Sequence, residues 1–125
     1  MKNPIVWFEI YVNNIDRATT FYETVFNTKL SPMSDPTDQG MRMMSFDMDM
    51  SAHGSCGMLV QMPGMDAGKN STIVYFHSED CVTEESRVVT AGGMVMKPKM
   101  SLGEYGHMSL CKDSEGNVFG LHSMQ

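Results

Sequence analysis

The feature that most constrains this chain of 125 residues is an order of elements that occurs twice. Residues 5–12, Ile-Val-Trp-Phe-Glu-Ile-Tyr-Val, are β-branched, aromatic and apolar, and are bounded by Pro4 and the Asn13-Asn14 pair. That composition and those boundaries predict a strand. Asn14 or Asp16 can cap the following helix, in which Ala18, Phe21, Tyr22 and Val25 form one apolar stripe and which Asn27 closes. A short strand over 29–33, a turn or loop over 35–40, and strands over 41–48 and 57–62 complete the first unit. After a linker at 63–70 the order begins again. A strand is predicted at 72–77, and a helix opened by Glu79-Asp80 carries Val82, Glu85, Val88 and Val89 at helical spacing. Gly92-Gly93 stops that helix. A short strand at 94–97 and a loop at 98–106 follow, then strands at 107–112 and 118–123 joined by a tight turn at 113–117.

Two units of one strand, one helix and three strands predict an α+β fold of paired βαβββ modules, with a curved mixed sheet around a central cleft. Neither unit alone can bury both faces of a four-stranded sheet, so the chain is expected to be one domain with halves at about 4–62 and 71–125. Trp7–Asn14 aligns with Ile73–Asp80. Cys56-Gly57-Met58-Leu59 is aligned with Phe119-Gly120-Leu121-His122, glycine on glycine.

Several classes of function are disfavoured. The formal net charge of −6 lacks the basic face that nucleic acid requires. No apolar run is long enough to cross a bilayer, and Met1-Lys2-Asn3-Pro4 leads straight into a strand, which predicts no signal peptide. The cysteines, Cys56, Cys81 and Cys111, are odd in number and lack zinc spacing, so reduced packing thiols in a cytoplasmic protein are expected. The 15 methionines, including Met41, Met43, Met44, Met48 and Met50, read as core or pocket wall rather than a soft-metal site.

Asp16-Arg17-Ala18…Phe21-Tyr22…Val25-Phe26 near the start and Asp113-Ser114-Glu115-Gly116-Asn117-Val118-Phe119-Gly120-Leu121 near the end resemble the glyoxalase / bleomycin-resistance / extradiol-dioxygenase (vicinal oxygen chelate) superfamily. The resemblance spans essentially the whole chain. It implies the paired-module fold but no single reaction, because this scaffold hosts isomerases, dioxygenases and metal-free drug-sequestering proteins. Enzymes of the superfamily hold a divalent metal at four inward positions, which the resemblance places here on Trp7, Gly57, Ile73 and Gly120. None of these offers a side-chain donor to a hard or borderline metal, so no cofactor is expected.

Strand alternation gives the expected pocket. Trp7 brings Glu9 and Tyr11 to its face, Ile73 brings Tyr75 and His77, and Gly120 brings His122, while Gly57 and Gly120 leave room for a ligand. Glu9 is the sharpest feature, because a carboxylate in an apolar strand is costly to bury unless it is paired or solvated. It reads either as a general base or ligand anchor, or as the partner of an arginine, lysine or tyrosine from another strand. His122 either works with Glu9 as acid and base or is hydrogen-bonded to backbone. Glu104, Tyr105 and His107 sit in a glycine-flanked loop, where Tyr105 either closes over a ligand or merely occupies a turn.

These features imply a protein that binds a small molecule in a central pocket without the usual metal. The alternatives are a lyase or isomerase using Glu9 as base, with or without a displaced divalent metal, and an interaction module with no ligand. Analogy with proteins of this size and fold implies a homodimer.

Overall fold

The first helix starts where the sequence places a cap. The Asn14 side chain accepts the Arg17 N–H at 3.0 Å, and Asn27, in the left-handed region at φ 50°, ends the helix. The computed structural model describes residues 3–35 and 40–125. In the first half these form β1 (Trp7–Tyr11), α1 (Ile15–Phe26), β2 (Ser31–Met33), β3 (Arg42–Ser45) and β4 (Cys56–Gln61). In the second half they form β5 (Val74–His77), α2 (Cys81–Val88), β6 (Met94–Ser101), β7 (His107–Lys112) and β8 (Val118–Ser123). Most of the loop expected at 35–40 lies outside the described residues.

Both halves have the same topology. The sheets run β1-β4-β3-β2 and β5-β8-β7-β6, each with one parallel pair formed by its first and last strands and two antiparallel pairs. This is the α+β, paired βαβββ arrangement that the sequence predicts. Two details differ. β6 continues through Pro98 to Ser101, where a loop was expected; it is an edge strand with register shifts, and an edge accommodates a residue that has no N–H. On α2 the inward face carries Cys81 and Val88, whereas Val82 and Val89 are exposed. Glu85 is turned toward the sheet because its carboxylate accepts the Ser109 hydroxyl at 2.7 Å and the Lys99 N–H at 2.6 Å.

One apolar core joins the halves. It contains Ile10 and Leu59 from the first sheet, Phe119 and Leu121 from the second, and Ala18, Phe21, Tyr22 and Val25 from α1. Tyr22 lies at its centre, with ring centroids 5.5 Å from Phe46, 5.8 Å from Phe119 and 6.0 Å from Phe76. Since α1 packs against the inner faces of both sheets, the outer face of each sheet looks away from this core.

The β7–β8 turn fastens the second half to the first. The Glu115 side chain, fully buried, accepts the backbone N–H groups of Asn13 at 3.0 Å and Asn14 at 2.8 Å. It also takes a two-pronged contact from Arg17, Nε at 2.6 Å and Nη2 at 2.8 Å. Asn117 donates to the Tyr11 carbonyl at 2.9 Å and accepts the Gly68 N–H at 2.7 Å. Asp113 accepts the buried Tyr22 hydroxyl at 2.6 Å. The residues that carry the resemblance near the C-terminus thus act as a clasp between halves.

Burial opposes ionisation of Glu115, but the Arg17, Asn14 and Ser114 hydrogen bonds prevail and hold its carboxyl below the ordinary value. A depressed carboxyl contributes stability that is present above the unfolded value, about 4.3, and is lost as the pH falls through the folded one. Asp113 works in the opposite sense, because burial raises it in spite of its hydrogen bonds. Glu115→Ala is expected to destabilise the fold by about 1–3 kcal/mol, since it removes the shared acceptor of the part-buried Asn13, Asn14 and Arg17 donors, and urea denaturation would measure the loss. In the same assay Glu115→Gln should flatten the fall in stability between about pH 5 and about pH 3 relative to the unaltered chain.

Candidate functional site

On β1, Phe8 and Ile10 point into the core, and Trp7, Glu9 and Tyr11 share the outer face. The Glu9 carboxylate accepts the Tyr11 hydroxyl at 2.8 Å and the Trp7 indole N–H at 3.2 Å. Its tyrosine partner is therefore two residues away on its own strand, and no arginine or lysine pairs with it among the described residues. The charge is held between two aromatic rings and remains exposed. The hydrogen bond to Glu9, followed by partial burial, raises the Tyr11 phenol above its ordinary value, so this hydroxyl stays a donor at neutral pH.

Methionines surround this group. Met43, Met58 and Val60 form a small apolar cluster with Trp7, Tyr11, Met41 and Met62 packed against it. Their thioethers are soft, polarisable and rotationally adaptable, a surface that moulds itself to flat aromatic bodies. Cys56, the register partner of Trp7, adds a thiol 3.6 Å from the Met50 sulfur.

The second sheet presents a matching outer face. Tyr75 and His77 lie on it with their register partners Gly120 and His122, next to Met108, which pairs with His122, and Met100, which pairs with Met108. His122 Nε2 is 2.7 Å from the Tyr105 carbonyl oxygen, so of its two expected roles the backbone hydrogen bond is the one observed. This bond tethers the turn Gly103–Tyr105, whose Tyr105 ring is 70% exposed. His77 is also exposed and lies 3.5 Å from Glu79. Within one chain Glu9 and His122 have separate partners on separate sheets.

Gly57 is placed differently from the expectation. It pairs with Phe8 on the core face, and a Cβ there would lie 2.5 Å from the Phe8 ring. The outer-face position on β4 belongs to Met58, opposite Glu9, as Gly120 lies opposite Tyr75. A slip of one residue exchanges the two faces of a strand. Aligning Leu59 with Leu121, both wholly buried in the shared core, finds the correct register, whereas aligning Gly57 with Gly120 does not.

A largely apolar cavity of about 600 Å³ opens at the seam between the halves, under the 65–72 linker. Of the expected pocket residues it takes in only Glu9 and Tyr11. Trp7, Tyr75, His77, Tyr105, Gly120 and His122 lie outside it.

Two βαβββ units, each with its first and last strands parallel, define the paired-module class of proteins. The sequence profile of the Glyoxalase/Bleomycin resistance protein/Dioxygenase superfamily matches residues 4–121, and the chain belongs to that superfamily. It is 27% identical over 128 residues to the anthracycline biosynthesis protein DnrV of Streptomyces peucetius, a match covering 92% of this chain and 45% of that protein. The chain thus spans about half the length of this relative. Among solved structures it resembles glyoxalase I from Zea mays (TM-score 0.75, 17% identity, 97% of this chain and 46% of that one). It also resembles the antibiotic binding protein TnmS3 from Streptomyces sp. CB03234 (TM-score 0.64, 22% identity, 98% of each chain). A glyoxalase/bleomycin resistance protein from the same strain has a TM-score of 0.63 at 25% identity, over 94% of this chain and 98% of that one. No helix among the described residues is long and apolar enough to cross a membrane.

With the register corrected, the four positions that the superfamily's enzymes use for a divalent metal carry Trp7, Met58, Ile73 and Gly120. An indole, a thioether, an alkyl group and a hydrogen do not fit such an ion, which takes imidazole or oxygen donors. The two glycines should respond differently to Ala. At Gly57 the methyl group meets Phe8, which is held among Phe46 and Phe76, so a loss of about 1–3 kcal/mol is expected in thermal or chemical denaturation. At Gly120 it meets the ring of Tyr75, which is 47% exposed and can swing out. The fold should survive there while the Tyr75 ring resonances shift.

Proposed function

We propose that this protein binds a cationic aromatic small molecule without a metal, on the outer face of its first sheet. The observation that carries this reading is the Glu9 carboxylate, oriented by Trp7 and Tyr11 above a wall of methionines. A charge fixed by two aromatic donors is already organised for an ammonium group, so little ordering cost remains at binding. The thioethers of Met43, Met58 and Met62 meet the ligand's rings, and Trp7, at a position where the superfamily's enzymes hold a metal ligand, adds apolar surface rather than a metal donor. The relationship to an anthracycline biosynthesis protein and the structural likeness to an antibiotic binding protein agree with this ligand class.

A second copy of the chain completes the site. The outer face of the first sheet is apolar around one carboxylate, and that of the second carries Tyr75, His77, His122 and Lys97 around Gly120. Apposing the first face of one copy with the second face of another sets the aromatic rings of Tyr75 and Tyr105 opposite Glu9 and shields the ligand. A homodimer with two equivalent sites follows from this pairing. Tyr75 and Tyr105 of the second copy then close over the bound rings.

Titration with a fluorescent anthracycline that carries an amino sugar tests the anchor. Glu9→Gln should weaken binding at least about tenfold, as loss of a charge-assisted contact does, and chelator should leave the affinity unchanged. Equal affinity in the variant would overturn the anchor. Light scattering should give twice the 14.0 kDa chain mass, and a monomer that binds with full affinity would overturn the shared site.

A further inference from the structure

The seam cavity differs in kind from the outer faces. Its wall includes four consecutive residues of β1, Phe8 through Tyr11. Side chains of a strand alternate, so only the strand's backbone edge can present four in a row. β1 is the outermost strand of its sheet, and its other edge is the one paired with β4.

The hydrogen bonds give the direction of each peptide group. Val12 N–H donates to the Val60 carbonyl, so Val12, Ile10 and Phe8 turn their backbone groups toward β4. Trp7, Glu9 and Tyr11 therefore turn theirs to the open edge, as the bond from Asn117 to the Tyr11 carbonyl bears out at 2.9 Å. Among the described residues no hydrogen bond reaches the N–H or C=O of Glu9 or the N–H of Tyr11 along this edge. Backbone groups left in that state at an apolar cavity are strong, unspent donors and acceptors.

The remaining surroundings give the chemistry of the occupant. The rings of Phe8, Tyr22 and Phe119 and the side chain of Ile10 provide an apolar floor. The rim carries one acid, Asp66, and one base, Lys69, and so favours neither sign of charge. The linker is held over the opening by Asn70, which donates to the Val118 carbonyl at 2.9 Å and accepts the Val118 N–H at 3.1 Å.

We propose that this seam is a second binding site, separate from the Glu9 carboxylate, for a neutral ligand carrying two successive secondary amides beside an aromatic ring. As an added parallel strand would, the carbonyl of the first amide accepts the Glu9 N–H and the N–H of the second donates to the Glu9 carbonyl, while the ring rests on Phe8, Tyr22 and Phe119. A cavity of about 600 Å³ holds a molecule of dipeptide size.

The probe is N-acetyl-L-phenylalanine N-methylamide, followed by amide NMR spectra of the intact chain. Saturable shifts of the Glu9 and Tyr11 backbone amides are expected. The methyl ester of the same compound, which lacks the terminal N–H, should bind at least about fivefold more weakly. Thr72→Trp at the rim and Val74→Phe in the wall should each weaken binding at least about tenfold, with the remaining amide spectrum unchanged. Shifts confined to Tyr75, His77 or other outer-face residues would overturn the proposal, as would undiminished binding in both folded variants. The probe is uncharged, so a failure of anthracycline binding and a failure here are read separately.

Discussion

The buried carboxylate of Glu115 is the interaction on which the rest of the structure depends. It lies in the second half of the chain, yet its partners are the backbone of Asn13 and Asn14 and the guanidinium of Arg17 in the first. These partners define the end of β1 and the first turn of α1, where unpaired N–H groups attract an anion. Asn117 and Asp113 extend the same clasp to the Tyr11 carbonyl and the Tyr22 hydroxyl. It fixes β1 against the second sheet by hydrogen bonds, in addition to the core contact of Phe8 with Phe76. The residues through which the chain resembles its superfamily are thus scaffolding.

The same scaffold leaves the outer faces of both sheets free to vary. The positions given elsewhere in the superfamily to metal donors here carry an indole, a thioether, an alkyl group and a glycine. One pleat further along β1 stands a carboxylate bracketed by aromatic donors. Methionine serves two ends in this arrangement. Met44 packs against the shared core, while Met41, Met43, Met58 and Met62 build a soft surface beside Trp7 and Tyr11. These two clusters account for five of the 15 methionines.

Much of the fold was legible because its causes are local. Alternation in β1, the apolar stripe of α1, the Asn14 and Asp80 caps and the left-handed Asn27 are written in neighbouring residues. The inward turn of α2 was less legible, since Glu85 faces the sheet only because Ser109 and the Lys99 backbone N–H meet it there. Of the candidate site, the sharing of one face by Trp7, Glu9 and Tyr11, and of another by Tyr75, His77, Gly120 and His122, followed from a period of two. The face of Gly57 did not follow, because it depends on which residue of β4 lies opposite Phe8. That choice is made by hydrogen bonds between strands almost fifty residues apart in sequence.

The sequence by itself determined that two βαβββ units would form, that they would share one core, and that the superfamily's metal positions would hold no donor for a hard ion. Those conclusions rest on spacing and side-chain chemistry, which do not require knowledge of distant contacts. Tertiary structure alone decided that Asp113, Glu115 and Asn117 are a clasp rather than a simple turn. It also decided that the Glu9 charge is held by Trp7 and Tyr11 while His122 is bound to the Tyr105 carbonyl. The physical reason is that hydrogen-bond partners are selected by proximity in space. Proximity between the halves exists only after the shared core has closed around Tyr22.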